Sequence, residues 1–191
     1  MGVIINGQMF SATLLMNATV LLPIFLIFLI FQTIKQIKAR NIFKLVTLIL
    51  LSVYLYLLLS VTLFPVNIFP KGDAVYQHGF GQQSWVTNFD LTLLLTYLPE
   101  QIFDNLIMLA PLTFLSAVLN PKFANLRMSL GLGFAASLTI ELLQLVMSYF
   151  YLGNRVCDIN DLVLNTLGAV LGYVAFVVCQ RIWNKISVLD K

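Results

Sequence analysis

Glu141-Leu-Leu-Gln144 places a carboxylate and an amide three residues apart inside an otherwise apolar run. That spacing puts both on one helix face. Shortly after comes Gly153-Asn154-Arg155-Val156-Cys157-Asp158-Ile159-Asn160-Asp161, followed by Asn165, Gly168 and Gly172. Asp158, Asp161, Asn165, Gly168 and Gly172 recur at spacings of three and four and share a second face. Asp104-Asn105 opens a third apolar stretch that carries Pro111 further on. Paired carboxylates with amides can hold a proton, a cation or a hydroxyl-bearing ligand. A buried carboxyl moved towards neutrality can also act as a general acid or base.

The elements that position these groups follow from composition. Of 191 residues, 60% are hydrophobic and 10% charged. Soluble domains carry about 25% charged residues. A nucleic-acid-binding surface, a disordered chain and a secreted disulfide scaffold are excluded. The expected fold class is all-α, a polytopic membrane bundle forming a single domain over residues 1–191. Apolar stretches long enough to cross a core of about 30 Å run over residues 12–34, 45–65, 102–119, 128–149 and 162–183. Five transmembrane helices are expected. The first is not a cleaved signal, because no Lys or Arg precedes it and its apolar run is too long.

The basic residues give an orientation. Lys35, Lys38, Arg40 and Lys44 fall between the first two spans, Lys122 and Arg127 between the third and fourth, and Arg181, Lys185 and Lys191 after the fifth. Only Lys71 and Arg155 fall on the other side. The positive-inside bias then puts the N-terminus outside and the C-terminus in the cytoplasm. The acids Asp73, Asp90, Glu100, Asp104, Asp158 and Asp161 gather at the outer face. Glu141 lies 8–10 residues from the outer end of its span, roughly 12–15 Å deep. A charge near the bilayer centre costs on the order of 2.5–3.5 kcal/mol, so Glu141 is expected to face the bundle interior. Gln144, Asn105, Asn165 and Arg155 are its candidate partners, and Arg155 is the cation best placed to neutralise the outer acids. Asp158 and Asp161 also suit the N-terminus of the fifth helix, where the dipole favours anions. Gly168 and Gly172 form a small-xxx-small pair that lets another helix come close.

The segment 66–100 is too small for a core of its own. Within it, residues 88–98 read as a short interfacial or re-entrant helix capped by Asn88 or Asp90, with Trp85, Phe89 and Tyr97 at the headgroup level. It either lies on the bilayer surface or forms a lid over a cleft. His78 is the single histidine and has no ligand-spaced partner, so no metal site is expected. Cys157 and Cys179 are 22 residues apart on one helix, roughly 33 Å, too far to pair.

The ordered set Asp104-Asn105 to Pro111, Glu141-Leu-Leu-Gln144 and Asp158-Ile-Asn-Asp161-Leu-Val-Leu-Asn165-Thr-Leu-Gly168 resembles the VanZ-like family over about residues 45–180. That family takes its name from a teicoplanin-resistance determinant. The resemblance implies a bacterial multi-pass plasma-membrane protein acting at the outer leaflet or cell envelope, with a link to glycopeptide susceptibility, and it supplies no mechanism.

Three functions follow as expectations. A non-enzymatic envelope protein would bind a membrane lipid, a cell-wall precursor or another lipid-linked ligand through an outward acidic and amide cleft, with no cofactor and no nucleic acid. An intramembrane enzyme would use Glu141 with Asp158 or Asp161, although Ser148, the nearest hydroxyl, has no identified base. A proton-coupled transporter would use Glu141 as a relay, although no internal repeat accompanies it.

Overall fold

The computed structural model describes residues 2–83, 99–155 and 157–189. Five helical stretches long and apolar enough to cross a membrane run over Ala18–Lys38, Ile42–Thr62, Pro99–Leu119, Leu126–Tyr149 and Ile159–Ser187. The described residues are mostly helical, 72%, consistent with an all-α polytopic bundle with minor strand content.

The first stretch starts later than hydropathy suggests. Strand β1, Gly2–Ile5, pairs antiparallel with β2, Gln8–Ser11. Strand β3, Leu14–Met16, pairs with β4, Val66–Ile68, from the loop after the second span. A short apolar run reads alike as strand or helix, and here strand pairing takes it. A 3-10 turn at Ala18–Leu21 then leads into α1, Leu22–Lys38, with Pro23 in its first turn. Lys35 and Lys38 occupy the last turn of α1, where the dipole favours cations.

Helix α2, Ile42–Thr62, is capped by the Asn41 side chain, which accepts from the Lys44 N–H at 2.9 Å. The third stretch is two helices, α3 at Pro99–Met108 and α4 at Ala110–Leu119. Pro111 has no N–H to continue the ladder. The Tyr54 hydroxyl of α2 enters the break, donating to the Met108 carbonyl at 2.7 Å and meeting the Leu112 N–H. Helix α5, Leu126–Tyr149, starts at an Asn125 cap, and α6 runs over Ile159–Leu189. Helix α6 packs against α3, α4 and α5. The membrane core gathers Leu58, Leu109, Leu112, Ile140 and Ala169.

The end of the bundle that carries the N-terminal strands departs most from expectation. The loop after α2 does not stand alone. Val3 and Ile5 of β1 are fully buried with Phe69, Val75 and Tyr151. Ile5 bridges to Gln83, the Asn67 N–H reaches the Leu152 carbonyl at 2.8 Å, and the Gly81 N–H reaches Tyr149. Three segments distant in sequence thus build one small core, each too short to do so alone. His78 packs edge-on against Phe10, with ring centroids 5.2 Å apart. Among the described residues no group of His, Cys, Asp and Glu is suited to a metal. The expected helix at 88–98, with Trp85, Phe89, Asp90 and Tyr97, lies outside the described residues.

Candidate functional site

The site forms where α6 begins. The Asp158 carbonyl accepts the Leu162 N–H, and its carboxylate accepts the Asn160 N–H at 2.8 Å. That is N-cap geometry, which satisfies a donor the first helical turn leaves unpaired. The carboxylate of Glu141 on α5 accepts the Asp158 N–H at 2.9 Å. Glu141 is only 4% exposed, and the positive end of α6 favours its ionised form.

None of the four side chains expected to partner Glu141 is seen to bond it. Asn105 of α3 donates instead to Asp161. Asn165 donates to Ser137 at 3.2 Å. Gln144 donates to the Thr62 carbonyl at 3.0 Å, tying α5 to the end of α2. Arg155 is the clearest correction. Its guanidinium donates to the carbonyls of Val61 and Phe64 at 3.0 and 3.2 Å. It caps the C-terminus of α2, where unpaired carbonyls and the negative dipole end attract a cation. Its charge goes to a helix end, not to the acids. Charged hydrogen bonds of this kind contribute about 1.5–3 kcal/mol. Arg155→Ala is therefore expected to cost about 2 kcal/mol, read as a fall of about 4–8 °C in the unfolding midpoint in detergent.

Asp104 is exposed, one residue and a large rotation round α3 from Asn105, and is not drawn into the network among the described residues. Three hydrogen-bonded pairs, Glu141 with the Asp158 N–H, Asn105 with Asp161, and Asn165 with Ser137, make up the polar cluster across α3, α5 and α6. Asp161 and Asn105 are its half-exposed edge, and Glu141 and Asn165 its floor. Asn165 and Asn160 are each 1% exposed. The Asn165 Oδ1 and the Asn160 Nδ2 have no hydrogen-bond partner among the described residues. Buried polar atoms in native proteins nearly always find one, so polar partners suit this pocket of the fold.

Sequence reasoning missed Ser137 and Cys157. Ser137 stands four residues before Glu141 on α5, a spacing that marks a shared face. Cys157 carries no such signal, because only the turn into α6 sets its thiol against the Glu141 carboxylate. Burial pushes the Cys157 thiol above its ordinary pKa, and the Glu141 charge adds to the shift. The thiolate is what reacts. Alkylation of Cys157 is thus expected to stay slow at neutral pH and to keep rising above the pH where a free thiol levels off. Glu141→Gln should move that profile to lower pH. An unchanged profile would separate the two side chains.

The two glycines close the site from below. A Cβ at Gly168 would overlap the Leu106 carbonyl of α3, and one at Gly172 the Ala110 carbonyl and the Thr113 hydroxyl. The Thr113 hydroxyl donates to the Ala169 carbonyl at 2.7 Å. This contact holds Asn105 against Asp161.

A protein-family model described as VanZ/LLP1 matches residues 50–180, well over half of the chain. The chain belongs to the VanZ/LLP1 family. No curated protein and no solved structure matches it. The VanZ/LLP1 region holds α3 to α5, most of α6 and the whole polar network. The β1–β2 hairpin and α1 lie before it, so the small core of Val3, Ile5, Phe69, Val75 and Tyr151 joins a segment inside the family region to one outside it.

Proposed function

We propose that this VanZ/LLP1 membrane protein acts at the outer leaflet of a bacterial plasma membrane. There it recognises the polar head of a cell-envelope amphiphile and lowers susceptibility to teicoplanin-type antibiotics. One observation carries the reading. Carboxylates and amides from α3, α5 and α6 converge near one end of the bundle, with Glu141 nearly fully buried close to Asp158 and Asp161.

The bonds seen to Glu141 and Asp161 come from neutral donors, the Asp158 N–H and the Cys157 thiol to Glu141 and the Asn105 amide to Asp161. Arg155 is spent on α2. A head group rich in ammonium or hydroxyl donors, as in a cell-wall precursor or another lipid-linked ligand, complements such a cluster. It would meet Asp161 and Asn105 first and displace little of the packed floor. Nothing in the arrangement calls for a cofactor. The Cys157 thiol, with its pKa raised by burial, is itself a poor nucleophile at neutral pH.

The test is expression of the chain in a teicoplanin-sensitive bacterial host. The expected result is growth at a raised antibiotic concentration, and unchanged susceptibility overturns the reading. The proposed orientation has the N-terminus outside and the C-terminus in the cytoplasm. A membrane-impermeant thiol reagent applied to intact cells should then leave Cys179 unlabelled. Labelling of Cys179 from outside would invert the orientation.

A further inference from the structure

The polar network leaves the opposite end of the bundle unexplained. A groove of about 760 Å³ opens there, between the start of α2, the end of α4 and the last turns of α6. Its size falls within the range of about 300–1,000 Å³ common to small-molecule sites. Phe43, Val118, Phe176, Cys179 and Trp183 line it. Phe43 and Trp183 are 72% and 73% exposed at its mouth. A second groove of about 670 Å³ shares Leu50, Phe114 and Leu115 with it and runs on to Leu57 and Gly172. From Phe43 to Leu57 the floor follows roughly 21 Å of α2. One leaflet of hydrocarbon is about 15 Å deep, half of about 30 Å. The length therefore holds an acyl chain.

Three basic residues adjoin the groove's lining in the chain. Each of its three walls carries a cation directly after a lining residue: Lys44 after Phe43, Lys122 after Pro121, Arg181 after Gln180. All three are exposed. Lys44 sits in the first turn of α2, next to N–H groups and a positive dipole end. A cation there works against the helix and in favour of a bound anion. Every described Asp and Glu belongs to the other end of the chain's spans, at positions 73, 100, 104, 141, 158 and 161. Among the described residues, then, no carboxylate offsets these cations.

We infer that this groove binds an anionic phospholipid, its acyl chain along α2 and its phosphate among Lys44, Lys122 and Arg181. Basic pockets between membrane helices take such head groups for this electrostatic reason. The site is separate from the outer polar network and does not depend on its ligand.

Native mass spectrometry of the purified full chain tests it, with phosphatidylglycerol and phosphatidylcholine of matched chains as probes. The expected result is retention of phosphatidylglycerol over phosphatidylcholine. Affinity should fall about five-fold for each cation removed in Lys44→Gln, Lys122→Gln and Arg181→Gln. The same charge change in Lys35→Gln, Lys38→Gln and Lys185→Gln should have a smaller effect. Phosphatidylglycerol should also slow alkylation of Cys179, followed by peptide mass spectrometry. Equal losses from both sets of variants would mean a diffuse basic surface and overturn the site. Absence of lipid preference overturns it as well, as does protection of Cys179 by self-association of the chain without lipid.

Discussion

Gly168→Leu is expected to lower the unfolding midpoint in detergent by about 10 °C, the largest stability effect of any single change considered. Helices in a membrane gain little from burying apolar surface against one another, so close packing and interhelical hydrogen bonds hold them. At Gly168 the neighbour is the backbone carbonyl of Leu106, which cannot rotate away as a side chain can. Any Cβ must push α3 off α6. Overpacking costs about 1–3 kcal/mol where side chains can adjust, and a backbone obstacle puts this site at the upper end. In a chain of this length each kcal/mol shifts the midpoint by about 2–4 °C. The same displacement parts Asn105 from Asp161, so proposed function should fall with stability. Gly131 is the control, since nothing lies within 4 Å of a Cβ there. Gly131→Ala should be neutral or stabilising by up to about 1 kcal/mol through helix propensity. Equal behaviour of Gly168→Ala and Gly131→Ala would show that α3 and α6 do not meet as described.

Glu141→Gln should abolish antibiotic protection while leaving the fold close to that of the parent. A glutamine amide oxygen can still accept the Asp158 N–H, the bond that ties α5 to the start of α6. What it loses is the ionisable carboxyl close to Asp158 and Asp161, the feature on which the proposed recognition of a donor-rich head group rests. Glu141→Ala removes both. It strands the Asp158 N–H in a buried place at a cost of about 1–3 kcal/mol and should unfold several degrees earlier. The pair therefore separates architecture from function. Protection by Glu141→Gln equal to that of the parent, with matched amounts of protein in the membrane, would falsify a role for the charge. Loss of protection in Glu141→Ala alone would assign Glu141 to holding the helix ends together.

Several features were legible in the residues because they depend on local chemistry. Apolar length set the number of spans, as a helix rising 1.5 Å per residue needs about 20 residues to cross. Spacings of three and four put Asp158, Asp161, Asn165 and the two glycines on one face. Depth alone marked Glu141, since a carboxylate so far from the headgroups must be shielded. The ordered motifs carried the resemblance to the VanZ-like family, and the family match covers the same region.

Partners were not legible, because they join residues far apart in the chain. Arg155 is three residues from Asp158, and nearness in sequence suggested an ion pair. Its side chain instead reaches α2, more than 90 positions away, where unpaired carbonyls outcompete the acids. Glu141 finds a backbone N–H, a partner every residue offers and no side-chain pattern reveals. The strands at the N-terminus depend on pairing between residues 14–16 and 66–68. The small core around Val3, Ile5 and Tyr151 needs β1, the loop after α2 and the turn before α6 together. By itself the sequence determined which groups are too costly to leave in lipid and how many helices carry them. Only the tertiary structure decided which of those groups meet, because a hydrogen bond depends on positions in space that side-chain spacing along one helix does not specify.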